Sequence, residues 1–394
     1  MMSGSTPKDF VAKISEALSG AGRRGIYVTA GAGSCDLEAQ QFGRQPSEEE
    51  DVPGGRPHHL ESPPGPRDFG VHDGTSRLCY FLDGVQSSRE IGRIEMSPVV
   101  VATVAATIVN RCDRRFTRMP LESPPVVVQA VILPRSAGDP KVEAFWDLLI
   151  EAGFSELGPD DVPSSPHLVL DSAEYMSEAD PSDYVGMRER SLVRVRALRE
   201  RLEGGMLRRW EGDDRVLDSD DWIAVDGQLK DIAESNRRAL GLIKSVARPE
   251  FVGKDVAMLL DLEPGMRTTS FVPDWQLRRS AGEQRTSWYL RMWPRQRGAD
   301  ALGSLMRIEA PRDMGREMID EISRWVMAER APLAKPDSRW PAMIYPIHYV
   351  EKLLKPLVQG SERAYSRLER QLATASPANA SANALANASA NGRN

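Results

Sequence analysis

The stretch that most constrains this chain is Trp222-Ile-Ala-Val-Asp-Gly-Gln-Leu229, where an apolar run ends on an aspartate and a glycine follows at once. A short apolar run bounded by a turn signal reads as a buried strand. Asp226 therefore stands where the chain leaves a sheet. A second copy of the design, Leu78-Cys-Tyr-Phe-Leu-Asp-Gly84, lies upstream. Each Asp-Gly alone reads equally as a hairpin turn, because it is one of the strongest short turn signals. As a pair the two strands offer more. Laid side by side they would bring Asp83 next to Asp226, and adjacent carboxylates are what a hard divalent cation needs.

The 394 residues can bury a large core, and length alone would allow two or three domains. Low-complexity stretches reduce that number. Residues 1–29 form an N-terminal helical segment, with a helix over 7–20 that buries Phe10, Val11, Ile14 and Leu18 and starts at Thr6-Pro7. Residues 30–75 form a Pro/Gly/Glu-rich flexible loop without hydrophobic periodicity, marked by Glu48-Glu-Glu-Asp51 and Ser62-Pro-Pro-Gly-Pro66. Its His58, His59 and His72 lack partners at metal-ligand spacing. Residues 76–372 make the main domain, and 373–394 an Ala/Asn/Ser tail expected to be disordered.

The net charge of −6 excludes a generally basic nucleic-acid coat but leaves room for a local basic groove. Arg188, Arg190, Arg278, Arg279, Arg291, Arg295 and Arg297 are its candidates. Cys35, Cys79 and Cys112 share no metal-ligand spacing, and an odd count argues against a disulfide framework. The N-terminus lacks the apolar core of a signal peptide, and the longest apolar run, Val99 to Val109, is too short to span a bilayer as a helix. The expectation is a cytoplasmic protein with no membrane partner.

Within the main domain, strands are expected at 78–82, 91–96 and 126–133, with Val99–Val109 either a strand or a buried helix. Helices are expected over 141–152 and 184–202, the second dense in arginine and stopped by Gly204-Gly205. Its arginines read as solvated or paired with Glu200 and Glu203. The Asp226 strand follows, then a helix over 229–239, a strand over 240–246, and weak strands near 268–272, 287–293 and 305–309. A helix over 313–330 and a short last helix, from Tyr349 to about Leu354 and limited by Pro356, complete the order.

An aspartate-bearing strand, a three-strand meander, helices and a strand ending in a second aspartate define an α/β, RNase H-like layout. It has a mixed central sheet flanked by helices, with a disordered N-terminal insertion and C-terminal tail. First and fourth strands are neighbours in such a sheet. The count requires Val99–Val109 to be a helix and the brief segment 167–170 to be set aside. Phosphodiester hydrolysis suits two such acids. Ligation by oxygen alone favours Mg²⁺ or Mn²⁺ over zinc. For the third acid the sequence offers Glu189, in Met187-Arg-Glu-Arg-Ser-Leu192, with Glu174 and Glu200 as rivals.

In this order the motifs resemble the NurA nuclease family: Asp83-Gly-Val, a glutamate on an Arg/Glu helix at Glu189, Asp226-Gly-Gln-Leu229, Gly241-Leu-Ile-Lys-Ser245 and Tyr345-Pro346. The resemblance implies a DNA nuclease, exo- and/or single-strand endonuclease, with Asp83, Glu189, Asp226, Lys244 and His348 as catalytic residues. The first three would hold Mn²⁺ or Mg²⁺. It also implies a homodimer working on DNA with a HerA-type hexameric ATPase, in DNA end processing or antiphage defence. No Gly-x-x-x-x-Gly-Lys-Ser/Thr loop is present, as expected if the motor is a separate chain. Two departures stand out. Val85 and Gln228 replace the family's serines, and His348 follows Pro346 by only two positions. They motivate two alternatives: a catalytically weak or inactive scaffold docked on the ATPase, or a nuclease for RNA or branched DNA.

Overall fold

Two strands, Leu78–Ile94 and Ser97–Cys112, form one long antiparallel hairpin around which the sheet is built. Only Glu95 and Met96 separate them, and Glu95 takes a left-handed φ of 51° to make the reversal. The computed structural model describes residues 6–29, 56–71, 76–112, 115–119, 125–158, 161–174, 183–229, 238–244, 249–280, 283–295, 301–312, 314–331 and 342–375.

In chain order the strands are β1 (His58–His59), β2 (Pro66–Asp68), β3 (Leu78–Ile94), β4 (Ser97–Cys112), β5 (Arg115–Met119), β6 (Val126–Leu133) and β7 (Ser155–Glu156). They continue with β8 (His167–Asp171), β9 (Trp222–Asp226), β10 (Ala239–Ile243), β11 (Met266–Thr268), β12 (Phe271–Val272), β13 (Arg285–Arg291) and β14 (Leu305–Pro311). The helices are α1 (Pro7–Arg23), α2 (Pro140–Glu151), α3 (Tyr184–Glu211), α4 (Asp214–Leu217), α5 (Lys254–Leu260), α6 (Arg316–Ala328) and α7 (Tyr345–Ala375).

All the strands belong to one sheet, whose main path runs β1-β12-β13-β14-β10-β9-β3-β4-β6-β8-β7. Its centre, β6-β4-β3-β9-β10, has an antiparallel meander (β3, β4, β6) and two strands parallel to β3. This is the RNase H-like arrangement. The expected order holds, but the strand count behind it needs correcting. Val99–Val109 is not a helix; it is the second strand of the meander. The segment 91–96 is no separate strand, because β3 runs through Asp83-Gly84 to Ile94. Segment 167–171 is a strand of its own, added in parallel outside β6.

Periodicity could not resolve β4 because both of its faces are covered. Val100, Ala102, Val104 and Ala106 face a cluster with Leu192, Val195, Leu198 and Leu202 of α3. Val99 and Val101 face α1 and α2, while Ala105 and Val109 join the core under α6 and α7. A strand buried on both sides reads as one apolar run.

Two helices outlast their expected stop signals. α3 continues through Gly204-Gly205 to Glu211, because Leu202, Leu207 and Trp210 are buried along it. Two glycines cost such a helix about 2 kcal/mol, less than this burial returns at roughly 1.5–3 kcal/mol per large side chain. α7 runs through Pro356, with Ile347, Val350, Leu354, Val358, Tyr365, Leu368 and Leu372 forming its buried stripe. It also takes in residues 373–375, which the sequence assigned to the tail. The capping box of Thr6 with Asp9 starts α1 as expected. Most of the expected helix over 229–239, together with Asp313 and the tail beyond 375, lies outside the described residues. Among the described residues no helix is long and apolar enough to cross a membrane.

The segment read as a flexible loop over 30–75 contributes β1 and β2 within its described part, 56–71. One buried arginine fastens it. Arg267 on β11 is fully enclosed, donating to Glu61 Oε1 at 2.7 Å and to Asp320 Oδ1 of α6 at 2.6 Å. Removing one partner of a buried ion network leaves uncompensated charge and costs about 3–5 kcal/mol. Arg267→Met should lower the urea midpoint accordingly and open 56–71 to proteolysis. A change below about 1 kcal/mol, read with a constant m-value, would contradict this.

Candidate active site

The parallel pairing of β9 with β3 ends at Leu82 against Val225. Asp83 and Asp226 are the next residues of the two strands, so they lie side by side on one face of the sheet. Phe81 of β3 and Ala224 of β9, each two residues back, point to the same face and sit in the core beneath α6 and α7. Asp83 is only 4% exposed, since β3 continues past it against β4. Its Oδ1 accepts from the Gly84 N–H at 2.8 Å. Burial pushes its carboxyl well above the ordinary aspartate range, and the neighbouring Asp226 charge pushes the same way.

A cation on the same face opposes this. Lys244 follows β10 on the same face, and its Nζ donates to Asp226 Oδ2 at 2.8 Å. It also lies 3.8 Å from Met343 Sδ. Burial alone would favour its neutral form, but Asp226 and Asp83 outweigh that and raise its pKa. Glu351 of α7 adds to the same field. One turn earlier on α7, His348 Nδ1 stands 3.7 Å from Glu351 Oε2. The structure thus brings Asp83, Asp226 and Lys244 together and sets His348 behind Glu351 on the covering helix.

Glu189 is not part of this group. It is exposed near the start of α3, roughly 21 Å along the helix from Glu203 at 1.5 Å per residue. Glu174 is taken up by Arg194. The glutamate of α3 that lies against the Asp83 strand, from the other face of the sheet, is Glu203, 8% exposed, with its Oε1 3.7 Å from Arg199 Nε. It packs directly over Gly84: a Cβ there would lie 2.2 Å from Glu203 Oε1 and 3.0 Å from Arg199 Cγ. Its charge also raises the Asp83 carboxyl, and Arg199 lowers it. The sequence reading missed Glu203 because it ended the helix at Leu202 and left the glutamate as a partner for arginine. The glycine after Asp83 was the available signal, since it marks where a neighbouring element comes close.

The two Asp-Gly pairs differ in conformation. Gly84 is extended within β3, whereas Gly227 has a φ of 100° and turns the chain. At Asp226 the turn reading holds, and the strand end sets the carboxylate beside that of Asp83. Val85, where the family has serine, packs against the core under α7. The arginines expected to line a groove divide by burial and pairing. Arg291 is buried, donating to the Leu262, Gly303 and Leu259 carbonyls at 3.1, 2.8 and 2.7 Å, so it serves the fold. Arg188 and Arg190 pair with Glu90 and Asp183. Arg278, Arg279 and Arg295 are exposed, and Arg297 lies outside the described residues.

Among the described residues no group of three or more His, Cys, Asp or Glu side chains is gathered closely enough to hold a metal ion. The donor chemistry nevertheless fits a hard cation. Two adjacent carboxylates, one of them buried and disfavoured as an anion, gain from added positive charge.

No family model matches the sequence. No curated protein matches it either. Among solved structures the chain is similar to the crystal structure of the NurA nuclease from Sulfolobus solfataricus, at 10% identity and a TM-score of 0.42, over 79% of this chain and 89% of that one. That likeness is too distant to assign a residue or an activity.

The strain at Asp83 has a measurable consequence. Its carboxyl binds a proton more readily folded than unfolded, so stability falls as pH rises from the unfolded value of about 3.9 through the folded one. The full deficit is present above that window. Asp83→Asn should therefore raise Tm at pH 7 in a chelator, with the gain vanishing below about pH 4. An equal or lower Tm at pH 7 would contradict the assigned burial of charge.

Proposed function

We propose that this chain is a metal-dependent nuclease hydrolysing phosphodiester bonds in DNA, with Asp83 and Asp226 at its centre. The observation that carries the reading is the buried Asp83 held against Asp226 at the end of a parallel strand pair. Like charges held at a cost to stability mark functional sites more often than structural ones.

Asp83 and Asp226 would hold a Mg²⁺ or Mn²⁺ ion; Glu203, behind Gly84 on the other face of the sheet, acts on Asp83 through its charge and is not a ligand. What the bound ion supplies is a more acidic water and charge neutralisation at the leaving oxygen. Lys244 already neutralises Asp226, and released from it could meet a phosphate oxygen instead. His348, with Nδ1 3.7 Å from Glu351 Oε2, brings to the covering helix an imidazole, the side-chain type most used to move protons. A HerA-type ATPase and a second copy of this chain remain proposed partners on the motif resemblance alone, as does a role in end processing or defence.

A second reading, a non-catalytic scaffold that docks on a translocase, is favoured by one observation. Lys244 compensates Asp226 internally, as it would in a site that no longer binds metal.

A cleavage assay on single- and double-stranded DNA with Mn²⁺ or Mg²⁺ separates the two readings, run with and without an ATPase partner. Asp83→Asn and Asp226→Asn should each lose roughly 100-fold or more, the scale of removing a group that stabilises transition-state charge. Glu189→Gln should retain activity. No metal-stimulated cleavage by the unsubstituted chain under either condition would leave the scaffold. Loss in Glu189→Gln would contradict its place outside the site.

A further inference from the structure

We infer that Glu309, a buried carboxylate on β14, is the positioning residue that sets where Asp226 points. Its consequence for metal binding rests on the nuclease reading, whereas the positioning itself does not.

Glu309 is 1% exposed and lies on the strand next to β10, directly opposite Gly241. Gly241 leaves a gap in the sheet surface, and the chain leaving Asp226 fills it. A Cβ at Gly241 would stand 2.8 Å from the Gly227 carbonyl oxygen and 3.0 Å from the Leu229 nitrogen. These are backbone atoms and cannot swing aside. Glu309 reaches across this gap, and its Oε2 accepts from the Leu229 N–H at 3.0 Å. One step earlier, the Gly227 N–H donates to the Leu242 carbonyl at 3.0 Å. The turn after Asp226 is thus pinned at two amides, one of them by a side chain from a strand outside the site.

A buried carboxylate needs a countercharge, and Arg307 supplies it, with Nη2 3.2 Å from Glu309 Oε1. Arg307 also pairs with Glu250. Arg307 and Glu309 alternate with Met306, Ile308 and Ala310, which face the core under α6, so the pair lies on the opposite face of the sheet from the Asp226 carboxylate. Glu309 therefore cannot be a ligand. It acts through the backbone, by fixing the turn from which Asp226 projects, as groups behind a metal ligand commonly do.

The full chain carrying Glu309→Leu or Glu309→Gln tests this by amide hydrogen exchange and by Mn²⁺ titration calorimetry. Glu309→Leu should speed exchange at Leu229 while β10 and β14 amides stay protected, and weaken Mn²⁺ binding about 10–100-fold. Glu309→Gln keeps an oxygen acceptor and should restore both. Should Glu309→Leu loosen β14 itself, Gly241→Ala displaces the same turn from the other side and should reproduce the weaker binding. Unchanged Leu229 exchange in Glu309→Leu overturns the inference, as does a Glu309→Gln protein as impaired as Glu309→Leu. If the unsubstituted chain binds no Mn²⁺, the nuclease reading fails, and the Leu229 exchange still decides the role of Glu309.

Discussion

The parallel pairing of β3 with β9 is the constraint on which the site depends. It runs from Leu78 and Trp222 to Leu82 and Val225 and stops one residue short of both aspartates. Each strand alone would leave its acid at an ordinary position. Held in parallel, the strands put two carboxylates on neighbouring positions of one face, where neither can turn away without breaking the ladder. The apolar residues two positions back on each strand anchor that face under α6 and α7. The core thus holds together what electrostatics would separate.

Close approach on the other face is the second element. Gly84 carries no side chain, so α3 settles onto β3 and delivers Glu203 and Arg199. Gly241 does the same two strands away, letting the backbone after Asp226 lie down on β10. Both glycines are extended, so the demand is for space and not for a left-handed backbone. Gly227 is the opposite case, required by its positive φ. Around these three positions the charges fall into a short order, with Glu203 and Arg199 on one face and Asp83, Asp226 and Lys244 on the other, Glu351 and His348 above them. Among the described residues Lys244 offsets the aspartates from their own side, and it engages Asp226 directly.

Much of this was legible in the residues. The twin Asp-Gly strands and the order of elements could be read from pattern and spacing, and Lys244, just past β10, from the motif resemblance. Glu203 could not, because two glycines signal a helix end by propensity, and only the burial of Leu207 and Trp210 beyond them carries α3 onward. Pro356 misled in the same way, since a helix docked along its length tolerates one lost hydrogen bond. Val99–Val109 stayed ambiguous because a strand covered on both faces has no alternation to show. Arg291, counted by its charge toward a basic groove, spends that charge on backbone carbonyls inside the protein.

The sequence by itself determined which strands carry the acids and in what order the elements come, because those follow from local hydrophobic runs and turn residues. Tertiary structure alone decided that Glu203 lies behind Asp83 while Glu189 stays at the surface, which arginines remain exposed, and that Glu309 bonds to the turn after Asp226. These depend on contacts between residues distant in the chain, such as Leu229 with Glu309. A single sequence records the side chains that meet there but not the packing that makes them meet.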